Sequence, residues 1–249
     1  MKNNRKSTIA VISLLSIICI LLIGIMISIM TKGGIIIAKN NDNNISIGEI
    51  TTYDESFELG PNANISIDSD YGNIEIIESD SNKVRVVGES AELLPIEVNI
   101  TGNTLNINRK EEVSIYFGGL KSFKGTITLY IPKNTAHNIK IETDYGDIIS
   151  KSAINGFFDF ETDYGHIVIN EINGKFKLST DCGNIEITNA NITDNSSAKT
   201  DLGNIDITKT NPVRIDAESE LGNNKINGSD SSSNIELNLH TDMGNITIN

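Results

Sequence analysis

Apolar and polar residues alternate along most of the chain, and the alternation restarts at a glycine roughly every twenty residues. Before Gly165, for example, Phe158, Phe160 and Thr162 have one parity and acidic residues have the other. This two-residue period is typical of a strand with one buried face. After each glycine, alternate isoleucines resume the pattern, as in Ile185–Ile187. The pattern therefore predicts two strands per repeat with no helix between them.

A short acidic phrase marks each restart. It reads Asp-Tyr-Gly-Asn-Ile or a close variant and occurs seven times, at Asp70–Ile74, Asp144–Ile148, Asp163–Ile167, Asp181–Ile185, Asp201–Ile205, Glu220–Asn224 and Asp242–Ile246. From Gly146 to Gly244, successive glycines of this phrase are separated by 19, 18, 20, 19 and 22 residues. Such a period is typical of stacked repeats, in which each unit buries its apolar face against the next.

These observations predict an all-β fold, a single-stranded β-helix (β-solenoid) whose rungs are about 20 residues long. The acidic phrase would form the corner between two strands, because Asp and Asn side chains bond nearby backbone amides and glycine permits a positive φ. An antiparallel sandwich also contains many short strands. Identical corners at one period favour the solenoid. Asn224 replaces the usual isoleucine, which predicts a weaker rung there.

Two other positions of the repeat are constant in character. The residue before the glycine is usually apolar, which predicts a slot that faces the core; the residues are Tyr71, Tyr145, Tyr164, Cys182, Leu202, Leu221 and Met243. The residue two positions earlier carries a hydroxyl, which we expect to bond along the stack; the residues are Ser69, Thr143, Thr162, Thr180, Thr200, Ser219 and Thr241.

The region from Val84 to Pro132 alternates less regularly. Gly72 and Gly146 are 74 residues apart, close to four periods, so degenerate rungs are expected between them. Glu111–Lys124 contains Gly118-Gly119 and is predicted to be a loop or an insertion.

The N-terminal region predicts a membrane anchor. Ile9–Met30 is 22 residues long without a charge, which is enough to span a bilayer as a helix. The bases before it place residues 1–8 in the cytoplasm, residues 31–44 as a linker, and residues 45–249 outside the cell as an exported repeat domain. A cleaved signal peptide is the alternative, but Ser28-Ile-Met30 matches a cleavage site poorly.

Outside that anchor region the charge is strongly negative. The rest of the chain contains all 33 acidic residues and 17 of the 20 basic ones, which gives it a net charge of −16. This argues against nucleic acid or anionic lipid as a ligand of the general surface. Cys19 lies in the predicted span and Cys182 in the repeat, so no intramolecular disulfide is expected.

Residues that could support catalysis are sparse. The three histidines, His137, His166 and His240, show no metal-ligand spacing in sequence, and Cys182 is expected to be a small buried hydrophobe. Carbohydrate-cleaving β-helix enzymes combine clustered acids with basic residues, but the arginines here are only Arg85, Arg109 and Arg214 outside the N-terminal region. We expect neither an enzyme nor a cofactor.

The repeated acids are the one candidate polar site. Stacked rungs would bring Asp144, Asp163, Asp181 and Asp201 close together, followed by Glu220 and Asp242. Three arrangements would relieve their repulsion: bonds to their own corner amides, screening by water and salt, or hard cations such as Ca²⁺ between rungs. We expect the first two and therefore no metal, with the cation as the open alternative.

With these motifs assigned, the chain resembles a family of bacterial β-strand-repeat proteins of unknown function labelled "putative adhesin". The features that carry the resemblance are the Ile131-Pro132-Lys133 phrase and the tandem units such as Thr143–Ile149 and Thr180–Ile187, and it covers about Asn64 to Asn249. A single N-terminal anchor also resembles LiaG-like proteins, which accompany cell-envelope stress systems. The resemblance implies an exported β-helical domain and supplies no catalytic residues.

The leading functional expectation is a membrane-anchored, extracellular module that binds or scaffolds at the cell envelope, with an envelope protein or a glycan as partner. An accessory regulator of an envelope-stress signalling system is the alternative, and a glycan-acting enzyme is the remote one. The ligand and the oligomeric state do not follow from the sequence.

Overall fold

The computed structural model describes residues 49–91, 94–110 and 125–249, and every regular element in these ranges is a strand. The strands are β1 (Ile50–Phe57), β2 (Asn64–Tyr71), β3 (Ile74–Ser79), β4 (Val84–Ala91), β5 (Glu97–Thr101), β6 (Thr104–Arg109), β7 (Ile127–Pro132), β8 (Ala136–Tyr145), β9 (Ile148–Tyr164), β10 (Ile167–Cys182), β11 (Ile185–Ile192), β12 (Ser196–Leu202), β13 (Ile205–Lys209), β14 (Arg214–Leu221), β15 (Asn224–Ile226), β16 (Glu236–Met243) and β17 (Ile246–Ile248). The predicted all-β fold is confirmed for these residues.

The predicted cytoplasmic tail, membrane helix and linker at residues 1–44 lie outside the described residues. Within the described ranges, no helix has the length and apolar character needed to cross a membrane. The predicted loop at Glu111–Lys124 also lies outside the described part of the chain.

Repeats stack in parallel with the corners in register. On one side of the corner, Thr143 pairs with Thr162, Thr162 with Thr180, and Thr180 with Thr200. On the other side, Ile148, Ile167, Ile185 and Ile205 pair successively in the same way. Strands β9 and β10 are long because each contributes to both sides. The repeat therefore forms a solenoid-like stack, and the parallel pairing argues against the antiparallel sandwich.

The last two rungs stack out of sequence order. β16 pairs with β12 on one side and with β14 on the other, and β17 likewise lies between β13 and β15. The rung at 236–248 is thus inserted between the rungs at 196–209 and 214–226. Because β14 and β15 form the end of the stack, Asn224 is exposed there and bonds the carbonyl of Ala217 at 3.0 Å. A polar terminal rung is the usual cap of a repeat stack.

The expectation of degenerate rungs between Gly72 and Gly146 holds for one rung, formed by β6 and β7, but that rung does not lie between the two corners in the stack. β2 pairs directly with β8, so these two corners are neighbours in the stack. The intervening strands instead extend the start of the stack, where β6 and β7 pair parallel with β2 and β3. β5 pairs antiparallel with β6, β4 with β7, and β1 with β4.

The core lies between the two sides of the stack and follows the predicted parity. Phe158, Phe160 and Thr162 are buried. Asp159 and Glu161, which alternate with them, face outward. The isoleucines after each corner are also buried, as at Ile185 and Ile187. Full burial of each such side chain contributes about 1.5–3 kcal/mol to folding.

The glycine of each corner is required by a close approach between rungs. A Cβ on Gly183 would lie 1.8 Å from the carbonyl oxygen of Gly165, and one on Gly203 would lie 1.8 Å from that of Gly183. Among the seven corner glycines only Gly72 has a positive φ, at 106°. The predicted need for a positive φ therefore accounts for glycine at one corner. At the others, glycine is required because a Cβ would clash with the carbonyl of the neighbouring corner.

Five of the seven hydroxyl positions bond along the stack, as predicted. Thr162, Thr180, Thr200 and Thr241 donate to the glycine carbonyls of Gly146, Gly165, Gly183 and Gly203 at 2.9–3.0 Å. Ser219 donates to Gly244 at 2.8 Å. These buried bonds hold the inside of the corner together. Ser69 instead donates to the carbonyl of Tyr71 at 2.9 Å, and the buried hydroxyl of Thr143 has no hydrogen-bond partner among the described residues.

Candidate binding site at the corner of the stack

The acids before each glycine form a continuous row on the outer side of the corner. We call this set the acid row; in stack order it contains Asp70, Asp144, Asp163, Asp181, Asp201, Asp242 and Glu220. The predicted alignment of Asp144, Asp163, Asp181 and Asp201 is therefore observed. The order differs from the sequence at the end, because the inserted rung places Asp242 next to Asp201.

Lysines pair with two members of the acid row, Asp70 near its start and Asp201 beyond its middle, and the three acids between them form no ion pair. Lys110 lies 2.9 Å from Asp70, and Lys199 lies 2.9 Å from Asp201. Within the described residues, Asp144, Asp163 and Asp181 form no ion pair and no side-chain hydrogen bond. The expected bonds from the acids to their own corner amides are absent there, which leaves screening by solvent and salt, or a bound cation, to relieve the repulsion of these three.

The pKa values reflect this arrangement. Partial burial raises the pKa of Asp144, with Asp70 and Asp163 adding to the shift. Partial burial also raises the pKa of Asp163, with Asp181 and Glu161 adding to it. A carboxyl group whose pKa is raised in the folded state destabilises the fold when it is ionised.

We expect Asp163→Asn to stabilise the domain at neutral pH and low salt, by only up to about 0.5 kcal/mol because the side chain is partly exposed to screening solvent. The gain should shrink as salt is added. It should also shrink as the pH falls through the raised pKa of Asp163 and vanish well below 3.8, where wild-type Asp163 is protonated in both the folded and the unfolded state. Melting temperatures across a grid of pH and salt test this. A calcium-dependent rise in melting temperature that Asp163→Asn abolishes would contradict it and indicate a Ca²⁺ site.

The apolar slot before each glycine does not face the core, so that prediction was wrong. We call these residues the corner ridge; in stack order they are Tyr71, Tyr145, Tyr164, Cys182, Leu202, Met243 and Leu221. Tyr145, Leu202, Met243 and Leu221 are 46%, 43%, 50% and 69% exposed. The reason is that the threonine hydroxyl and the neighbouring glycine carbonyl fill the inside of the corner. The chain bends at this point, and the slot side chain is left outside.

Residues of the corner ridge contact one another along the stack. The rings of Tyr145 and Tyr164 stack with centroids 5.2 Å apart and planes 8° from parallel. Cys182 is half-buried rather than buried, and burial together with Asp181 and Asp201 raises the pKa of its thiol. An apolar ridge therefore runs directly beside the acid row.

On the other side of the ridge, the residues after each glycine form a second ladder. The side chains of Asn73, Asp147, His166, Asn184, Asn204 and Asn245 each accept the backbone N–H of the equivalent residue in the next rung, at 2.8–3.0 Å. The predicted side-chain bonds to amides thus exist, but they connect neighbouring rungs. His166 fits the ladder because its Nδ1 accepts a hydrogen bond in the same way as the side-chain oxygen of Asn or Asp. The absence of metal-ligand spacing in the sequence gave no indication of this role.

The arginines that would mark a glycan-cleaving site do not converge with the acids. Arg85 pairs with Asp54 at 2.5 Å, and Arg214 pairs with Glu236 at 2.5 Å. Arg109 is fully buried and donates to the carbonyls of Glu89 and Gly125; burial lowers its pKa to about 10. Sequence alternation had not indicated a buried arginine.

The histidines have different environments. His137 is buried, and among the described residues neither of its ring nitrogens has a hydrogen-bond partner, so burial lowers its pKa. His240 borders an open groove of about 410 Å³ on the outer face of β10, β12, β14 and β16. The spacing of the histidines in the sequence indicated no metal site. In the structure, however, one possible metal-binding atom from each of His240, Asp242 and Glu220 lies within 4.8 Å of the others.

Comparison with known proteins gives one family. Residues 62–249 match the Toastrack DUF4097 family. No curated protein matches the chain. Solved structures that match the chain include a "putative cell adhesion protein" from Clostridium sporogenes, at 13% identity and a TM-score of 0.44, covering 80% of this chain and 99% of that one. A "putative adhesin" from Bacteroides fragilis has 17% identity and a TM-score of 0.44, covering 81% and 97%.

Proposed function

Given that this chain belongs to the Toastrack DUF4097 family, we propose that its repeat domain is a binding module of the cell envelope, without catalytic activity, held at the membrane by Ile9–Met30. Under this proposal residues 1–8 are cytoplasmic and residues 45–249 are extracellular. The length and apolar character of the segment and the bases before it support this topology.

One observation carries the binding proposal: the acid row and the corner ridge run side by side along the stack. Exposed apolar side chains in a continuous strip are a common mark of an interaction surface. The neighbouring Asp144, Asp163 and Asp181 form no ion pair among the described residues, and Lys110 and Lys199 act on them only at longer range. The surface thus offers apolar contact and negative charge at the same place.

A surface that combines negative charge with exposed apolar side chains suits a partner that is both basic and apolar. An extended protein segment with alternating basic and apolar side chains would place its cations on the acid row and its apolar groups on the corner ridge. The net charge of −16 outside the anchor region would also speed the encounter with a cationic partner. We therefore assign a basic, partly apolar segment of an envelope protein as the ligand class.

The test uses a fluorescent peptide of alternating lysine and leucine. It should bind the detergent-solubilised full chain, and should label intact cells that produce this chain because the domain is exposed outside. Replacing Asp144, Asp163 and Asp181 with Asn should weaken binding roughly tenfold at low salt, equivalent to about 1.4 kcal/mol. Tyr145→Ser with Leu202→Ser should also weaken it, without loss of the fold.

Matched controls separate this surface from the general charge of the protein. Replacing the exposed acids Glu171, Glu186 and Asp206 on other faces by their amides removes the same number of charges. An equal loss of binding in this control would refute the assigned surface. Binding to the solubilised chain without labelling of intact cells would refute the topology alone.

A further inference from the structure

Four polar side chains form a compact square at the end of the stack. Glu218 and Glu220 lie two residues apart on β14, and His240 and Asp242 lie two residues apart on β16. The strands pair in parallel with Glu218 opposite His240 and with Ser219 opposite buried Thr241. The four side chains therefore lie on the outer face of the same two neighbouring strands.

Three atoms that could bind a metal ion lie close together. Nε2 of His240 lies 2.8 Å from Oδ1 of Asp242, and one donor atom from each of His240, Asp242 and Glu220 lies within 4.8 Å of the others. Ligands of one tetrahedral zinc ion lie about 3.3 Å apart, as metal–ligand distances of about 2.0–2.2 Å require. Glu220 is exposed, so a change in its side-chain torsions brings its carboxylate to that distance.

The second nitrogen of His240 also faces a carboxylate. Its Nδ1 lies 3.7 Å from Oε2 of Glu218. In protein metal sites, the ring nitrogen that does not bind the ion usually donates to a carboxylate or carbonyl, which fixes the tautomer. Glu218 is placed for this role, so Nε2 of His240, which lies beside Oδ1 of Asp242, is the nitrogen that would bind an ion together with that carboxylate.

The charge of the square is compensated only in part, by Lys199, whose pKa is raised by its hydrogen bond to Asp201 and, in addition, by Asp242. It contains three carboxylates, and Glu220 forms no ion pair among the described residues. Lys199 is opposite His240 on β12, but it pairs with Asp201 at 2.9 Å. A divalent cation would offset this charge at short range.

From this geometry we propose that His240, Asp242 and Glu220 bind a divalent transition-metal ion of the zinc class, with Glu218 positioning His240. One imidazole nitrogen and two carboxylates suit zinc, with a water molecule completing the coordination. Calcium is a poorer fit, because it prefers six to eight oxygen ligands. The site is separate from the middle of the acid row.

The test is a titration of the full chain with Zn²⁺ against a chromophoric chelator, together with the absorption spectrum of the Co²⁺ form. The wild type should bind one equivalent of Zn²⁺, and Co²⁺ should give the intense visible bands of tetrahedral coordination. His240→Gln should abolish both signals. Glu218→Gln should weaken binding by about 10- to 100-fold, the usual effect of losing such a supporting residue.

Asp201→Asn is the matched control, since it removes a carboxylate from the next rung without removing a proposed ligand. It should leave the affinity for Zn²⁺ within about twofold of wild type, because a solvent-screened surface charge that does not bind the ion contributes little. The proposal is overturned if the wild type shows no saturable binding, if Ca²⁺ competes equally with Zn²⁺, or if Asp201→Asn and His240→Gln lose affinity to the same extent. Circular dichroism establishes that each variant is folded.

Discussion

Gly183→Ala is expected to destabilise the repeat domain by at least about 3 kcal/mol, at the upper end of the usual cost of overpacking. The added Cβ would lie 1.8 Å from the carbonyl oxygen of Gly165 and 2.6 Å from its carbonyl carbon. Both are backbone atoms of a rung fixed by hydrogen bonds on each side, so neither can move away cheaply. The melting temperature should fall by roughly 6–12 °C for a domain of this size.

Gly60→Ala is the control for this change. The nearest atom to a Cβ there is Oδ1 of Asn103 at 3.3 Å, the end of a side chain on the surface. We expect little change in melting temperature. Equal effects of the two substitutions would mean that the close approach of the corners does not limit the choice of residue.

Arg109→Met should be the second severe change. Arg109 continues the column of hydroxyl residues, because it lies opposite Ser69, and it donates to the carbonyls of Glu89, Tyr71 and Gly125. Methionine keeps the apolar stem but removes every donor. Leaving buried carbonyls without these bonds costs about 1–3 kcal/mol each, so we expect a loss of about 2–4 kcal/mol after the gain from not burying a charge.

Denaturant unfolding of Arg109→Met and Arg85→Met provides the comparison. Arg85 is half-exposed and pairs with Asp54 on the surface, so its replacement should have a much smaller effect. If Arg109→Met were as mild as Arg85→Met, the guanidinium would not support the start of the stack.

Sequence reasoning predicted the parts of this fold that depend on local repetition. The parity of Phe158 and Phe160 and the bonds of the threonine column follow from a period that each repeat shows by itself. It was wrong about Leu202 and its equivalents, because an apolar side chain at a bend has two possible directions. Only the occupancy of the inside of the corner, by Thr200 and the carbonyl of Gly183, decides between them.

The order of the rungs was also not predictable. Each corner carries nearly the same phrase, so any rung could stack on any other with the same bonds. Nothing local distinguishes Asp242 from Glu220 as the neighbour of Asp201. Arg109 was missed for a different reason: its position belongs to the hydroxyl column, but the residue type is normally exposed. The grouping of His240 with Glu220 and Asp242 required the pairing of β14 and β16.

The inserted rung has a consequence for the order in which the domain is completed during synthesis. Residues 214–226 leave the ribosome before residues 236–248, yet their place in the native stack exists only once the later segment has joined β12 and β13. Growth of the stack from its start can proceed rung by rung as far as residue 209. The last two rungs must then assemble together, so the nascent domain keeps an open sheet edge until the final segment arrives. That edge is the stage at which the polypeptide is most exposed to mispairing with another chain.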